Sequence, residues 1–253
     1  AGIVSTDGSA MYAHRELGLV SDVFRSEVLA RLEGRAAVGH NRYATFGSKD
    51  WQNLQPFVAN FADDSFAIAH NGNLINAVEV RQELEHKGAI FSSTSDTEVI
   101  LHLIARATAE TTLMKKVAAA LHQVRGAYSL VVLSHNSMIA VRDPFGVRPL
   151  SLGRIKDAYI VASETCAFDL LNAEFVRDIE PGEILEIRQD GKMCSDYSLA
   201  CGKSALCVFE FIYFARPDSV IGGRQVYTAR KRLGAELAIE QPADADVVVP
   251  VPD

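Results

Sequence analysis

The chain of 253 residues is poor in cysteine and tryptophan and has no long apolar run. Its four cysteines are Cys166, Cys194, Cys201 and Cys207. They form no Cys-x-x-Cys pair and have no histidine close by, so reduced intracellular thiols are expected rather than a zinc site. No stretch reaches the roughly 18 apolar residues that a membrane span needs. No charged-then-apolar leader opens the sequence, so nothing points to secretion or to a membrane. Basic residues are outnumbered, 25 Lys and Arg against 32 Asp and Glu, for a net charge of −7. That balance argues against nucleic acid as the main partner, because phosphate binding wants a basic face. Position 1 is alanine, and no obvious nucleophile accompanies the polar motifs described below.

What is present is an ordinary globular composition, 48% hydrophobic and 23% charged, enough for one large domain or one and a half. Short apolar strands alternate with amphipathic helices over the first two thirds. Phe66–Ala69, Ala127–Leu133, Met138–Val141, Tyr159–Ala162 and Glu183–Ile187 read as strands. Asn76 is expected to cap a helix, with Glu79 at N3 as a capping-box variant and Gly88 at its C′ position. Ser95 is expected to cap a second helix, again with Glu98 three residues on, and Val99, Leu103 and Ala107 follow at helical spacing. A third helix is expected from about Thr112 to Arg125. Asp143-Pro144-Phe145-Gly146 and Glu180-Pro181-Gly182-Glu183 place proline before glycine as turns do, and tight turns join antiparallel strands. The expectation is an α+β domain of antiparallel sheets with helices packed outside.

A Lys/Ser/Gly-rich stretch over Ser195–Ser204 reads as a connector. An aromatic run, Phe209 to Phe214, and a helix from Thr228 to Glu240 follow it. Val247-Val248-Val249 reads as a buried strand, the opening of an α/β unit in a second domain.

Three polar segments carry the chemistry: His40-Asn41-Arg42-Tyr43-Ala44-Thr45, His70-Asn71-Gly72-Asn73 at the end of an apolar run, and Thr94-Ser95-Asp96-Thr97-Glu98 at a helix start. An Asn-Gly pair at a strand end can aim an amide NH₂ and a backbone N–H at one point, as an oxyanion hole requires. An arginine can fork onto a carboxylate. An aspartate at a helix start can accept from an ammonium group. A grip on both ends of an α-amino acid, with an oxyanion hole between, suggests an amidase acting on an amino-acid side chain. Each residue also has a plainer reading. Arg42 alone is a surface ion-pair residue, His70-Asn71-Gly72 alone a hairpin turn, Asp96 alone a charge favouring a helix start, and Cys207 alone a core thiol.

Taken together, the segments resemble the glutamine phosphoribosylpyrophosphate amidotransferases. The resemblance also rests on Arg142-Asp143-Pro144-Phe145-Gly146-Val147-Arg148-Pro149-Leu150, on Ala162-Ser163-Glu164-Thr165, and on Phe214-Ala215-Arg216-Pro217-Asp218-Ser219. It implies an N-terminal-nucleophile glutaminase domain over residues 1–203, a four-layer αββα sandwich, followed over 204–253 by the beginning of an α/β phosphoribosyltransferase domain. It implies that Arg42 binds the glutamine α-carboxylate, Asn71 and Gly72 form the oxyanion hole, and Asp96 holds the α-ammonium. Tyr43 to about Asn53, with Tyr43 and Thr45 as substrate contacts, would form a loop that closes on glutamine. Ammonia freed from glutamine would pass to phosphoribosyl pyrophosphate to give 5-phosphoribosylamine in purine synthesis.

The family pattern further implies Mg²⁺ in the transferase domain, and in some members a 4Fe–4S cluster with a cysteine at the position of Cys207. Cluster-free members can keep that cysteine too. A homo-oligomer (dimer or tetramer), purine nucleotides as feedback inhibitors, and a cytoplasmic location, or a plastid in a plant, complete the implied picture. The family's N-terminal Cys-Gly segment and the His-Arg-Gly-Gln stretch after it have no counterpart here. Ala1-Gly2-Ile3-Val4 matches the strand that follows them. Asn41 stands where the family more often has a small apolar residue. Two rivals stay open: the glutaminase half of a hexosamine-phosphate synthase or asparagine synthetase, and a nucleophile-free module that senses glutamine. The Arg216–Ser219 segment and the run ending Val251-Pro252-Asp253 argue against the first.

Overall fold

Every strand ladder in the computed structural model is antiparallel, although the Pro-Gly turns at Asp143–Gly146 and Glu180–Glu183 connect strands of different sheets rather than ladder partners. The structure describes residues 1–42, 51–61 and 64–249. A hairpin of β1 (Gly2–Thr6) and β2 (Met11–Arg15) leads through two single-turn helices, α1 (Val20–Val23) and α2 (Ser26–Leu29), to β3 (Ala36–His40). Strands β4 (Phe57–Phe61) and β5 (Asp64–Leu74) precede helices α3 (Ala77–His86), α4 (Thr97–Arg106) and α5 (Leu113–Leu121). Then come β6 (Gly126–Ser134), β7 (Ser137–Arg142), β8 (Ser151–Ile155), β9 (Ala158–Ala162), α6 (Cys166–Leu171), β10 (Glu174–Asp178), β11 (Ile184–Arg188) and β12 (Met193–Asp196). A π-helical turn over Glu210–Phe214, the small hairpin β13 (Val220–Ile221) and β14 (Arg224–Gln225), and α7 (Val226–Glu240) follow.

The strands form a six-stranded sheet in the order β12-β11-β7-β6-β5-β4 and two three-stranded sheets, β2-β1-β3 and β10-β8-β9. Because side chains alternate along a strand, the large sheet has two buried faces. Phe66 and Ile68 of β5, Tyr128, Leu130 and Val132 of β6, and Ile139 and Val141 of β7 pack against Val99, Ile100, Leu103 and Ile104 of α4 and Val117 and Leu121 of α5. The alternate residues Ala67, Ala69 and Leu133 meet Val4 and Val38 of the first small sheet. Ala140, Leu185 and Ile187 meet Leu150 and Leu152 of the second. Helix α6 covers the outer face of that second sheet: a Cβ on Gly153 would lie 2.8 Å from the Phe168 ring.

Local signals act differently from their expected form in several places. Helix α4 starts one residue later than a Ser95 cap requires, with Asp96 at the cap position. The Ser95 hydroxyl accepts the Thr97 N–H at 3.3 Å, and Glu98 folds back to accept from the Ser92 and Ser93 N–H groups at 2.8 Å each. Asn76 does cap α3 by position, but its side chain forms no capping bond. It reaches instead to Gln123 O and Arg125 N, tying the start of β6 to the end of β5. Gly88 closes α3 in the left-handed region, and the Ala89 N–H returns to Leu84 O at 2.9 Å, as a glycine C′ residue predicts. Helix α5 ends at Leu121 rather than Arg125. Val247–Val249, expected as a buried strand, is exposed, with Val248 at 84%. A strand needs a ladder partner, and none pairs with it among the described residues.

Candidate functional site

Strand β5 sets the site. Asn71 and Gly72 lie inside the strand, paired with Ser129 and Tyr128 of β6, not in a hairpin turn. Tyr128 O accepts the Asp143 N–H at 2.8 Å, so the backbone groups of Tyr128 face away from β5. By the alternation of an antiparallel ladder, the N–H groups of His70, Gly72 and Leu74 then face the opposite edge of β5. Two of these have partners there: His70 N–H donates to Gln55 Oε1 at 2.7 Å, and Leu74 N–H to Asp96 Oδ2 at 2.9 Å. The Gly72 N–H lies between them on the same edge, past the end of β4. Gly72 has φ +156°, and a Cβ there would collide with the Ala127 carbonyl oxygen. Only glycine suits this position.

Asp96 is 6% exposed. Its Oδ1 lies 3.6 Å from His70 Nδ1. Burial alone would raise this carboxyl, but the His70 ring and the Leu74 and Thr97 N–H groups hold it below its ordinary value, so it stays ionised. The Thr97 hydroxyl gathers the surrounding segments. It lies 3.1 Å from both Gln55 Nε2 and His70 Nδ1, and 3.2 Å from Ser95 Oγ.

From the first small sheet, His40 Nε2 reaches His70 O at 3.0 Å. Burial pushes the His40 imidazole down to about 4, with the nearby Arg42 adding to the effect. The ring is therefore neutral and donates from Nε2, since a carbonyl only accepts. Arg42 follows two residues later and is half-buried. Tyr43 and Thr45, and most of the loop from Tyr43 to Asn53, lie outside the described residues. Its last residues, Trp51–Asn53, form a 3₁₀ turn.

Asn71 falls on the same side of β5 as Ala67 and Ala69, the side of the two small sheets. Its Nδ2 donates to Ser163 Oγ at 3.2 Å, and its Oδ1 accepts from Arg148 Nη2 at 2.8 Å. Ser163 immediately follows β9. The next residue, Glu164, accepts from Arg216 N and Ser219 Oγ at 2.7 Å each. The Arg216–Ser219 segment is thereby fastened beside the site.

Strands β3 and β9 are the facing edges of the two small sheets. Between them runs a groove of about 210 Å³, lined by Ala37, Val38 and Gly39 on one side, Tyr159, Ile160 and Val161 on the other, and Val131 and Met138 of the large sheet below. Both strands end at the site: β3 at His40 beside His70, and β9 next to Ser163 beside Asn71. Cys207 is half-buried, and its N–H donates to Val147 O at 3.1 Å. Among the described residues, no group of three or more His, Cys, Asp or Glu side chains could hold a metal ion. A cluster requires four ligands, so these residues alone do not make such a site.

The structure brings Asn71, Gly72 and Asp96 together on the end of β5, with Arg42 entering from the end of β3. Gln55 stands in no sequence motif, and His40, Arg148 and Ser163 stand in the quoted motifs without a role of their own. Their contacts here are made between separate elements of the fold.

The glutamine amidotransferase domain family matches residues 40–169. The amidophosphoribosyltransferase of Bacillus subtilis is 46% identical over the whole chain, which spans 53% of that protein. Similar matches are the amidophosphoribosyltransferase of Methanocaldococcus jannaschii, 46% identical with 57% of that protein spanned, and the chloroplastic one of Glycine max, 46% with 44% spanned. Among solved structures, the B. subtilis glutamine phosphoribosylpyrophosphate amidotransferase complexed with ADP and GMP superposes with a TM-score of 0.90 at 44% identity, covering 97% of this chain and 53% of that one. The chain thus spans about half the length of the relatives it matches. No helix of the described residues is long and apolar enough to cross a membrane.

Proposed function

The chain belongs to the glutamine amidotransferase domain family, and on that premise we propose that it is the glutaminase-bearing half of an amidophosphoribosyltransferase. The observation that carries this reading is the convergence at the end of β5 of the Asn71 side chain, the Gly72 N–H and, from the start of α4, Asp96. Asn71 Nδ2 and the Gly72 N–H supply an oxyanion hole, Asp96 receives the α-ammonium of glutamine, and Arg42 receives the α-carboxylate, with Tyr43 and Thr45 as further substrate contacts.

The groove between β3 and β9 supports a place for the nucleophile. Both are edge strands of their sheets among the described residues and flank an apolar floor, the arrangement that accepts one more strand. Both strands run toward the site, so a strand antiparallel to each would begin there. Its first residue would set an α-amine and a side chain beside Asn71, Gly72 and His40. A cysteine in that place attacks the glutamine carboxamide while its own α-amine takes the proton. Asn71 and Gly72 stabilise the tetrahedral oxyanion, ammonia leaves, and water then releases glutamate. With that strand in place the two small sheets become one, and α6 forms part of an outer helical layer in a four-layer αββα sandwich.

Residues 1–203 form the glutaminase domain and 204–253 begin a phosphoribosyltransferase domain. The exposed Leu233, Leu237 and Val247–Val249 are apolar surface for that domain. Fastening Arg216–Ser219 to Glu164 sets its opening segment next to the site where ammonia is released. The transferase domain takes phosphoribosyl pyrophosphate with Mg²⁺, answers to purine nucleotides, and works in a cytoplasmic or plastid homo-oligomer.

The test is the full-length protein given amide-¹⁵N glutamine, phosphoribosyl pyrophosphate and Mg²⁺. Label appearing in 5-phosphoribosylamine, with one glutamate released per product, is the expected result. Glutamine left intact while free ammonia is consumed would overturn the glutaminase assignment.

A further inference from the structure

The loop between β7 and β8 is built with unusual completeness for a surface connection. Arg142, buried at its base, donates to three carbonyls: Arg148 O and Ile179 O at 2.8 Å and Gly146 O at 2.9 Å. Asp143, fully buried, accepts from the other side. Its carboxylate takes the N–H groups of Phe145 at 3.0 Å, Val147 at 2.9 Å and Arg148 at 3.3 Å. Ser129 Oγ holds Pro149 O at 3.0 Å. Arg148 stands on this held loop and reaches Asn71.

The Arg148 guanidinium divides between two partners. Nη2 donates to Asn71 Oδ1 at 2.8 Å, and Nη1 lies 2.7 Å from Glu210 Oε1. The Glu210 side chain is 3% exposed. The Phe214 ring lies 5.0 Å from the guanidinium carbon, within cation–π range. A guanidinium has no acceptor, so the Asn71 atom facing it must be the oxygen. That settles which way the carboxamide points. Its Nδ2, with two hydrogens, is turned toward Ser163 and the end of the groove. An amide held only by Ser163 could turn over, since a hydroxyl both donates and accepts.

We propose that Arg148 is the positioning residue of the oxyanion hole. It locks the Asn71 carboxamide with Nδ2 toward the reacting carbonyl, and Glu210 locks Arg148 in turn. The proposal rests on the glutaminase reading above. Arg148 also polarises the amide it holds, because a charged donor on Oδ1 strengthens the N–H groups at the other end. Its effect is thus felt when negative charge develops on the substrate oxygen, not when glutamine binds.

The experiment uses the full-length protein and four variants: Asn71→Ala, Arg148→Gln, Arg148→Lys and the double variant Arg148→Gln/Asn71→Ala. Glutaminase kcat and KM are measured for each. Ammonia-dependent transfer shows that the protein is folded. Arg148→Gln is expected to lower kcat about 10- to 100-fold, somewhat less than loss of an oxyanion donor, with KM changed by less than about threefold. In the Asn71→Ala background the same change should alter kcat by less than about twofold, because the group it positions is gone.

Should Arg148→Gln not fold, Arg148→Lys carries the same test. Lysine keeps a cation near Glu210 but lacks the fork that reaches both partners. An Arg148 effect that persists in full without Asn71, or an unchanged kcat in Arg148→Gln, overturns the positioning role. An unchanged kcat in Asn71→Ala overturns the underlying glutaminase site itself, a distinguishable outcome.

Discussion

Asp96 accepts the main-chain N–H of Leu74 at 2.9 Å, so the residue assigned to a substrate ammonium also closes the edge of β5. The first prediction follows from this double duty. Asp96→Ala leaves a buried N–H without a partner and should cost about 1–3 kcal/mol of stability, besides its loss of glutamine binding. Urea unfolding of the variant should show the lower midpoint. A variant as stable as the parent would mean that another acceptor reaches Leu74.

Gly72 carries the second prediction. Its φ of +156° and the Ala127 carbonyl facing it leave no place for a Cβ. Gly72→Ala should destabilise by more than about 2 kcal/mol and speed amide exchange in β5 and β6. Exchange and stability like those of the parent would show that the strand accommodates the methyl group.

His40 is expected to remain neutral across the physiological range. Burial depresses its folded value to about 4, against an ordinary value of 6.5. Its contribution to stability is therefore complete above pH 6.5 and is lost as the pH falls toward 4. An NMR titration should find the Nε2–H tautomer, with a midpoint well below 6. A midpoint near 6.5 would contradict a ring held neutral against His70 O.

Acid sensitivity should also appear at Glu183, which is fully buried. Burial would raise its carboxyl, but Arg177, Ser195 and the Glu180 N–H hold it below its ordinary value of 4.5. A depressed value means stability present above pH 4.5 and lost as the pH falls below it. Glu183→Gln should lose on the order of 1–3 kcal/mol at pH 7, and the difference from the parent should shrink at pH 3. Equal differences at both pH values would remove the charge from the explanation.

How much could be read beforehand depended on burial. Helices α3 and α4 and strands β6, β7 and β11 carry regular apolar spacing because each packs on the main core. Strands β2, β3 and β10 are half-exposed and alternate weakly, so no pattern marks them. Asn71, Gly72 and Asp96 stood out as candidates because the proposed chemistry calls for those residue types in short motifs. Arg148 was visible only as one residue of a longer resemblance. Its role depends on a bond to a residue 77 positions away, which only the fold brings together. Gln55 and Glu210 were hidden for the same reason.

The most direct test is a crystal structure of the full-length protein trapped with an electrophilic glutamine analogue that forms a covalent adduct. The account predicts the adduct oxygen within hydrogen-bond reach of both Asn71 Nδ2 and the Gly72 N–H, the analogue's ammonium at Asp96, and its carboxylate at Arg42. An adduct whose oxygen faces away from Asn71 and Gly72, or an analogue bound away from the end of β5, would contradict it.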